Sequence, residues 1–141
     1  MQSILDELKV VYEPDHQPKI TDAQDVYEQL TDIKDANKEI FVAFYLNTKN
    51  EVIAREIISI GILNASLIHP RETFRGAILH NANSIILAHN HPSGTTDPSA
   101  EDKNVTQQLQ QAGEILGIKL LDHIITTRNN YISLKELGVI S

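Results

Sequence analysis

The chain has 141 residues, of which 41% are hydrophobic and 22% charged, a balance ordinary for a globular domain that can bury a substantial core without staples. The absence of cysteine excludes disulfides, thiolate catalysis and cysteine-type zinc sites, among them the deaminase signature with its Cys pair after His-x-Glu. A net charge of −7 with 12 Lys plus Arg argues against a broad phosphate-binding surface, and no apolar run approaches the length of a membrane span.

Residues Ser3 to Tyr12 place Ile4, Leu8 and Val11 at helical spacing, which predicts a short amphipathic helix. Met1 to Leu8 is acidic and lacks the basic start and long apolar centre of a secretory signal, so a cytoplasmic location is expected. Glu13-Pro14-Asp15-His16-Gln17-Pro18 breaks this helix, and His16 reads as a solvated loop residue. Thr21-x-x-Gln24 predicts a capping box opening a second helix through Val26, Tyr27 and Leu30 to about Asp35.

From Glu39 the pattern changes to Ile-Phe-Val-Ala-Phe-Tyr-Leu, then Asn47-Thr48-Lys49-Asn50, then an apolar stretch to Ile60. These predict two antiparallel strands joined by a tight polar turn. By position alone Glu39 is a solvated acid at a strand entry. His69-Pro70 starts a helix with Phe74, Ala77 and Ile78 facing the core and His80 near its end. His69 reads as a cap or a hydrogen-bonding support rather than a ligand.

Ser84-Ile85-Ile86-Leu87-Ala88 reads as a buried strand, which puts His89 and His91 where that strand leaves the core. Imidazoles at i and i+2 project to the same side of an extended chain. Asp102, eleven residues past His91, lies in the first turn of a helix opened by Pro98-Ser99, where it can fold back to join them. Two His and one carboxylate around a tetrahedral ion leave one position open, the pattern of a catalytic zinc site. The plainer reading of Ser99-x-x-Asp102 is a helix cap, with Ser99 accepting from the amide near Asp102 and the acid favouring the positive helix end. Val105, Leu109, Ala112 and Leu116 form one apolar stripe over a long helix stopped by Gly117. Ile118 to Thr127 is a further strand, and Arg128-Asn129-Asn130 turns it into Tyr131-Ile132-Ser133-Leu134. Asp122 and His123 are adjacent, so in a strand they face opposite ways and cannot both reach one ion; one of them supports or packs.

His89-x-His91-Pro92 followed by Ser99-x-x-Asp102 resembles the JAMM motif of the JAB1/MPN metalloprotease superfamily. His89-Asn90-His91-Pro92-Ser93-Gly94 is more specifically similar to its RadC branch. His69-Pro70-Arg71-Glu72 and Leu121-Asp122-His123-Ile124-Ile125 are further RadC-like pieces, and the resemblance runs roughly from Lys38 to Leu137. It implies an α/β sandwich, a mixed sheet flanked by helices of the cytidine-deaminase-like kind, over 37–141; the two helices read before it make up an N-terminal helical segment over 1–36. It also implies a catalytic Glu at the start of a strand pair upstream of the ligands; Glu39 fits that place and ranks ahead of Glu56 and Glu72.

The leading functional expectation is therefore zinc-dependent hydrolysis of a peptide or isopeptide bond in a protein substrate. His89, His91 and Asp102 would hold Zn2+, Glu39 would act as general base and Ser99 as oxyanion donor, in competition with its capping role. Two rivals stand beside it. One is a DNA-transaction protein, since the RadC name is attached to DNA repair, although the charge disfavours nucleic acid. The other is a metal-bound scaffold without catalysis.

Overall fold

The computed structural model describes residues 8–141. Among them, the β-branched and aromatic run Ile40–Leu46 forms strand β2, buried along its whole length, and Asn47 turns the chain back into β3 (Val52–Ile60). The Asn47 side-chain oxygen accepts from the amides of Lys49 and Glu51 at 2.9 and 3.0 Å, and Asn50 takes a left-handed φ of 59°. This is the tight polar turn expected from the sequence.

The sheet has six strands in the order β1 (Lys9–Val11), β3, β2, β4 (Ser84–Asn90), β5 (Lys119–Thr126), β6 (Tyr131–Ser133). All neighbours are antiparallel except β4 and β5. A parallel pair cannot be joined by a hairpin, and helix α3 (Ala100–Leu116) makes the crossover. The mixed sheet with helices on its faces is the expected α/β architecture.

Side chains alternate across the strands, so the sheet has two cores. Phe41, Ala43, Tyr45, Ile85 and Leu87 face α3 and α2 (Pro70–Leu79), meeting Phe74, Ala77, Val105 and Leu109. Ile40, Val42, Phe44, Ile86 and Ala88 face the other way, where Ile20, Val26, Leu30 and Ile33 cover them. Arg55 on β3, only 5% exposed, forks onto Asp32 through two hydrogen bonds of 3.0 and 2.6 Å and ties this cover to the sheet.

Four local expectations change. Lys9–Val11 is an edge strand paired with β3 rather than part of a helix, while 3–7 of the expected helix lie outside the described residues. Pairing to Ala54 and Glu56 satisfies backbone groups that an isolated short helix would leave open. Helix α1 runs only over Ala23–Glu28 and is capped by Asp22, which accepts from the Asp25 amide at 3.0 Å. Asp25, not Gln24, reaches back to the Thr21 amide, moving the cap by one residue.

The third change is on α2, where Ile78 is 57% exposed and Gly76 is buried instead. The Tyr45 ring lies so close that a Cβ at Gly76 would sit 2.5 Å from it. On α3 the buried stripe is Asp102, Val105, Thr106, Leu109 and Gly113, and Leu116 turns out to solvent. Gly113 presses against the backbone carbonyl of Ile118, because the chain reverses at once through the left-handed Gly117. Gly113→Ala would force a methyl group into that carbonyl, and we expect a loss of about 1–3 kcal/mol in denaturant unfolding, whereas Ala112→Gly costs only about 1 kcal/mol of helix propensity.

Candidate metal centre

Strand β4 carries the sequence His89-Asn90 to its end, and the pleat sends these two side chains to opposite faces. His89 turns towards α3, and His91, just past the strand, stays aligned because its amide donates to the Thr126 carbonyl on β5 at 2.8 Å. Asn90 turns to the other face, fully buried. It accepts from the Ile40 amide at 2.6 Å and donates to the carbonyls of Lys38 and Ala36 at 2.9 and 3.3 Å. The residue between the two histidines therefore clamps the segment on both sides of Glu39. Phe41 pairs with His89, so extending that register sets Glu39 across from His91.

Asp102 arrives from the first turn of α3. Ser99 and Asp102 form a reciprocal capping box: the Asp102 amide donates to Ser99 Oγ at 3.0 Å, and the Ser99 amide donates to Asp102 Oδ2 at 2.8 Å. The cap read from Ser99-x-x-Asp102 is present, and it aims the Asp102 carboxylate at His89 and His91.

The structure brings His89, His91 and Asp102 together. His89 Nε2 lies 3.0 Å from His91 Nε2 and 3.2 Å from Asp102 Oδ1, and His91 Nε2 lies 3.1 Å from Asp102 Oδ2. All three are buried, with exposures of 1, 9 and 2%. Glu39 stands at the rim. Its Oε1 is 4.0 Å from His91 Nε2, its Oε2 accepts weakly from the Leu63 amide at 3.4 Å, and its side chain is 23% exposed. Ligand atoms of Glu39, His89 and His91 all lie within 4.8 Å of one another, a group able to hold a metal ion.

The rivals for the acidic role lie elsewhere. Glu56 pairs with Lys9 at 3.7 Å and abuts Tyr45, and Glu72 sits on the exposed side of the first turn of α2. His69 precedes α2 without a side-chain cap bond. Of the adjacent pair on β5, His123 is fully buried behind His89, with Nε2 2.8 Å from His89 Nδ1. Asp122 points away and accepts from Ser133 Oγ at 2.6 Å and the Lys135 amide at 3.1 Å.

His91 Nδ1 is 2.8 Å from the Thr95 carbonyl. A carbonyl only accepts, so His91 carries its proton on Nδ1 and directs the other nitrogen at the cluster. Burial alone would raise the Asp102 carboxyl, but the adjoining His89 and His91 rings and the Ser99 amide outweigh it and hold that group well below the usual carboxylate range. Asp102 in turn holds His91 above an ordinary histidine, against the effect of burial. Burial pushes His123 well down, so it is neutral. Two nitrogen lone pairs and a carboxylate this close together in a dry site repel unless a cation or protons sit between them, and such a donor set is able to hold a metal ion.

A cavity of about 290 Å3 opens beside His91 between Lys34, Asp35, Pro92 and Arg128. A larger one, about 490 Å3, lies between Ile20, Val26, Ile86 and Leu121, and neither histidine lines it. Sequence reasoning passed over Asn90 and Thr106. The legible signal for Thr106 was a polar residue on the apolar stripe of α3, one turn after Asp102.

The pattern of the RadC-like JAB domain matches residues 20–139. A UPF0758 protein of Methanococcoides burtonii is 48% identical over 132 residues, 93% of this chain and 58% of that protein. One from Desulforamulus reducens is 55% identical over 111 residues, 79% of this chain and 49% of the relative, and one from Shouchella clausii is 52% identical over 122 residues, 86% and 53%. The chain spans about half the length of these relatives. No helix among the described residues is long and apolar enough to cross a membrane. With the motif, the mixed sheet and this match over most of its length in agreement, the chain belongs to the RadC-like JAB domain family.

Proposed function

We propose that the chain is a zinc-dependent metallohydrolase that cleaves a peptide or isopeptide bond, with His89, His91 and Asp102 holding the ion. One observation carries this reading: both Nε2 atoms and both carboxylate oxygens of Asp102 meet at 3.0–3.2 Å in a buried cluster. Asp102 lies nearer the histidines than Glu39, whose Oε1 is 4.0 Å from His91. That difference favours Asp102 as the third holder and leaves Glu39 free at the open side.

Held by these residues, a zinc ion would supply a Lewis acid able to lower the pKa of water to about 7 and to polarise a carbonyl. Glu39 would take a proton from the attacking water and pass it to the leaving amine, a task suited to a carboxylate that is partly exposed and weakly held. Ser99 donates to the developing oxyanion. Its Oγ accepts the Asp102 amide through a lone pair, so capping leaves the hydroxyl proton free to donate. Asn90 keeps Glu39 in register with the histidines, and the cavity beside His91 admits the chain to be cut.

Metal analysis of the purified chain should give about one equivalent of zinc, lost in Asp102→Ala; a full equivalent in that variant would remove Asp102 from the site. Chelator-sensitive cleavage of a peptide and isopeptide library should vanish in His91→Ala. Glu39→Gln should keep its metal while losing on the order of 10²–10⁴ in rate; wild-type turnover in Glu39→Gln would end the general-base assignment. Asn90→Ala strands the Ile40 amide and should lower stability by about 1–3 kcal/mol, with metal content retained and rate reduced on the order of 10²-fold by the displaced Glu39. Equal losses of zinc and rate in that variant would show that Asn90 serves the histidines instead.

A further inference from the structure

A chain of buried hydrogen bonds starts and ends on Asp102. Thr106, one helical turn on, places its Oγ1 2.7 Å from the Asp102 backbone carbonyl and 2.6 Å from His123 Nδ1. His123 Nε2 lies 2.8 Å from His89 Nδ1, and His89 Nε2 returns to the Asp102 carboxylate at 3.2 Å. Thr106 and His123 are 0% exposed, so no solvent can replace any of these partners.

With the Thr106 hydroxyl donating to the Asp102 carbonyl, the protons from Thr106 to His89 have one arrangement, and it leaves the His89 Nε2–Asp102 contact without a proton, open to a cation. The Asp102 carbonyl can only accept, so the single Thr106 hydroxyl proton goes there. Thr106 Oγ1 must then accept from His123, which places the His123 proton on Nδ1. A second proton on the same ring would bury a cation between a hydroxyl and another histidine, at a steep desolvation cost. His123 Nε2 is therefore bare and accepts, and the proton it accepts is the one on His89 Nδ1. We propose that Thr106 and His123 are positioning residues that fix His89 in its Nδ1–H form, so that its Nε2 lone pair faces His91 and Asp102. Thr106 touches neither histidine of the centre, yet its hydroxyl decides which nitrogen of His89 is bare.

The consequence for metal holding rests on the reading of His89 as a holder of the ion; the tautomer does not. Support of this kind for a holding histidine is worth about 10–100-fold in affinity. Thr106→Val keeps the shape and removes the hydroxyl. His123 can then carry its proton on Nε2 and donate to His89 Nδ1, which moves the His89 proton onto the nitrogen that faces the site.

The test uses the full chain labelled with 15N, metal-free and at mildly alkaline pH. Long-range proton–nitrogen spectra read the ring nitrogens, and titration against a chromogenic chelator reads zinc affinity. In the wild type His89 should be protonated at Nδ1 and His123 at Nδ1 only. Thr106→Val should shift the His89 nitrogens and weaken zinc about 10–100-fold, and Thr106→Ser should restore both. A bare Nδ1 on wild-type His89, or zinc affinity in folded Thr106→Val within about twofold of the wild type, overturns the inference. Should Thr106→Val fail to fold, the wild-type ring nitrogens decide it alone. A wild type that binds no zinc overturns the metal reading instead, while its metal-free spectra still decide the relay.

Discussion

Two imidazole nitrogens and a carboxylate meet within 3.2 Å of one another in a place that water barely reaches. Lone pairs do not gather in this way without compensation, because each is an acceptor and the low dielectric of a buried site strengthens their repulsion. The scaffold must therefore force the meeting, and much of the chain serves that end. Strand β4 ends in the core so that His89 is buried as the chain leaves the sheet. Helix α3 crosses back over the sheet as the connection that a parallel β4–β5 pair requires, and its first turn delivers Asp102. The helix N-terminus also favours the negative charge there.

The His-x-His spacing acquires a second meaning from its middle residue. In a pleated strand the side chain at i+1 must leave by the other face, and Asn90 uses that necessity to hold Ile40, Lys38 and Ala36. The backbone that carries Glu39 is thus fixed relative to the histidines by hydrogen bonds made on the far side of the sheet. The residues before β2 cover that far side with Leu30 and Ile33 and are anchored by the Arg55–Asp32 fork. A change deep in this cover would reach the centre through the register of β2 rather than through any contact with the site.

The two helices on the other face show how closely the backbone is packed around the centre. Gly76 admits the Tyr45 ring and Gly113 admits the Ile118 carbonyl, so α2 and α3 sit nearer to the sheet than side chains would allow. That closeness lets Thr106 on the helix touch His123 on β5, and His123 touch His89 on β4. Thr106, His123 and His89 are linked to one another in this layer, as buried polar groups need to be if they are not to destabilise the core.

Much of this was written along the chain. The apolar run before His89, the polar turn after Leu46 and the Ser99-x-x-Asp102 spacing each depend on neighbours a few residues apart, and local periodicity and capping chemistry read them directly. Asp102 and the two imidazoles were legible for the same reason, since the cap that orients Asp102 is local to it, whereas Glu39 was placed by the family resemblance and not by its neighbours. Contacts with large sequence separation were not. Lys9–Val11 is extended because β3 is there to pair with it, Ile78 and Leu116 are exposed because glycines took the buried places beside them, and the role of His123 depends on a hydroxyl seventeen residues away on another element. Sequence by itself determined which donors the site contains and which local turns aim them; the tertiary structure alone decided which nitrogen of each ring is bare and how far Glu39 stands from them, because proton placement and distance follow from hydrogen bonds that exist only once the sheet and its helices have closed.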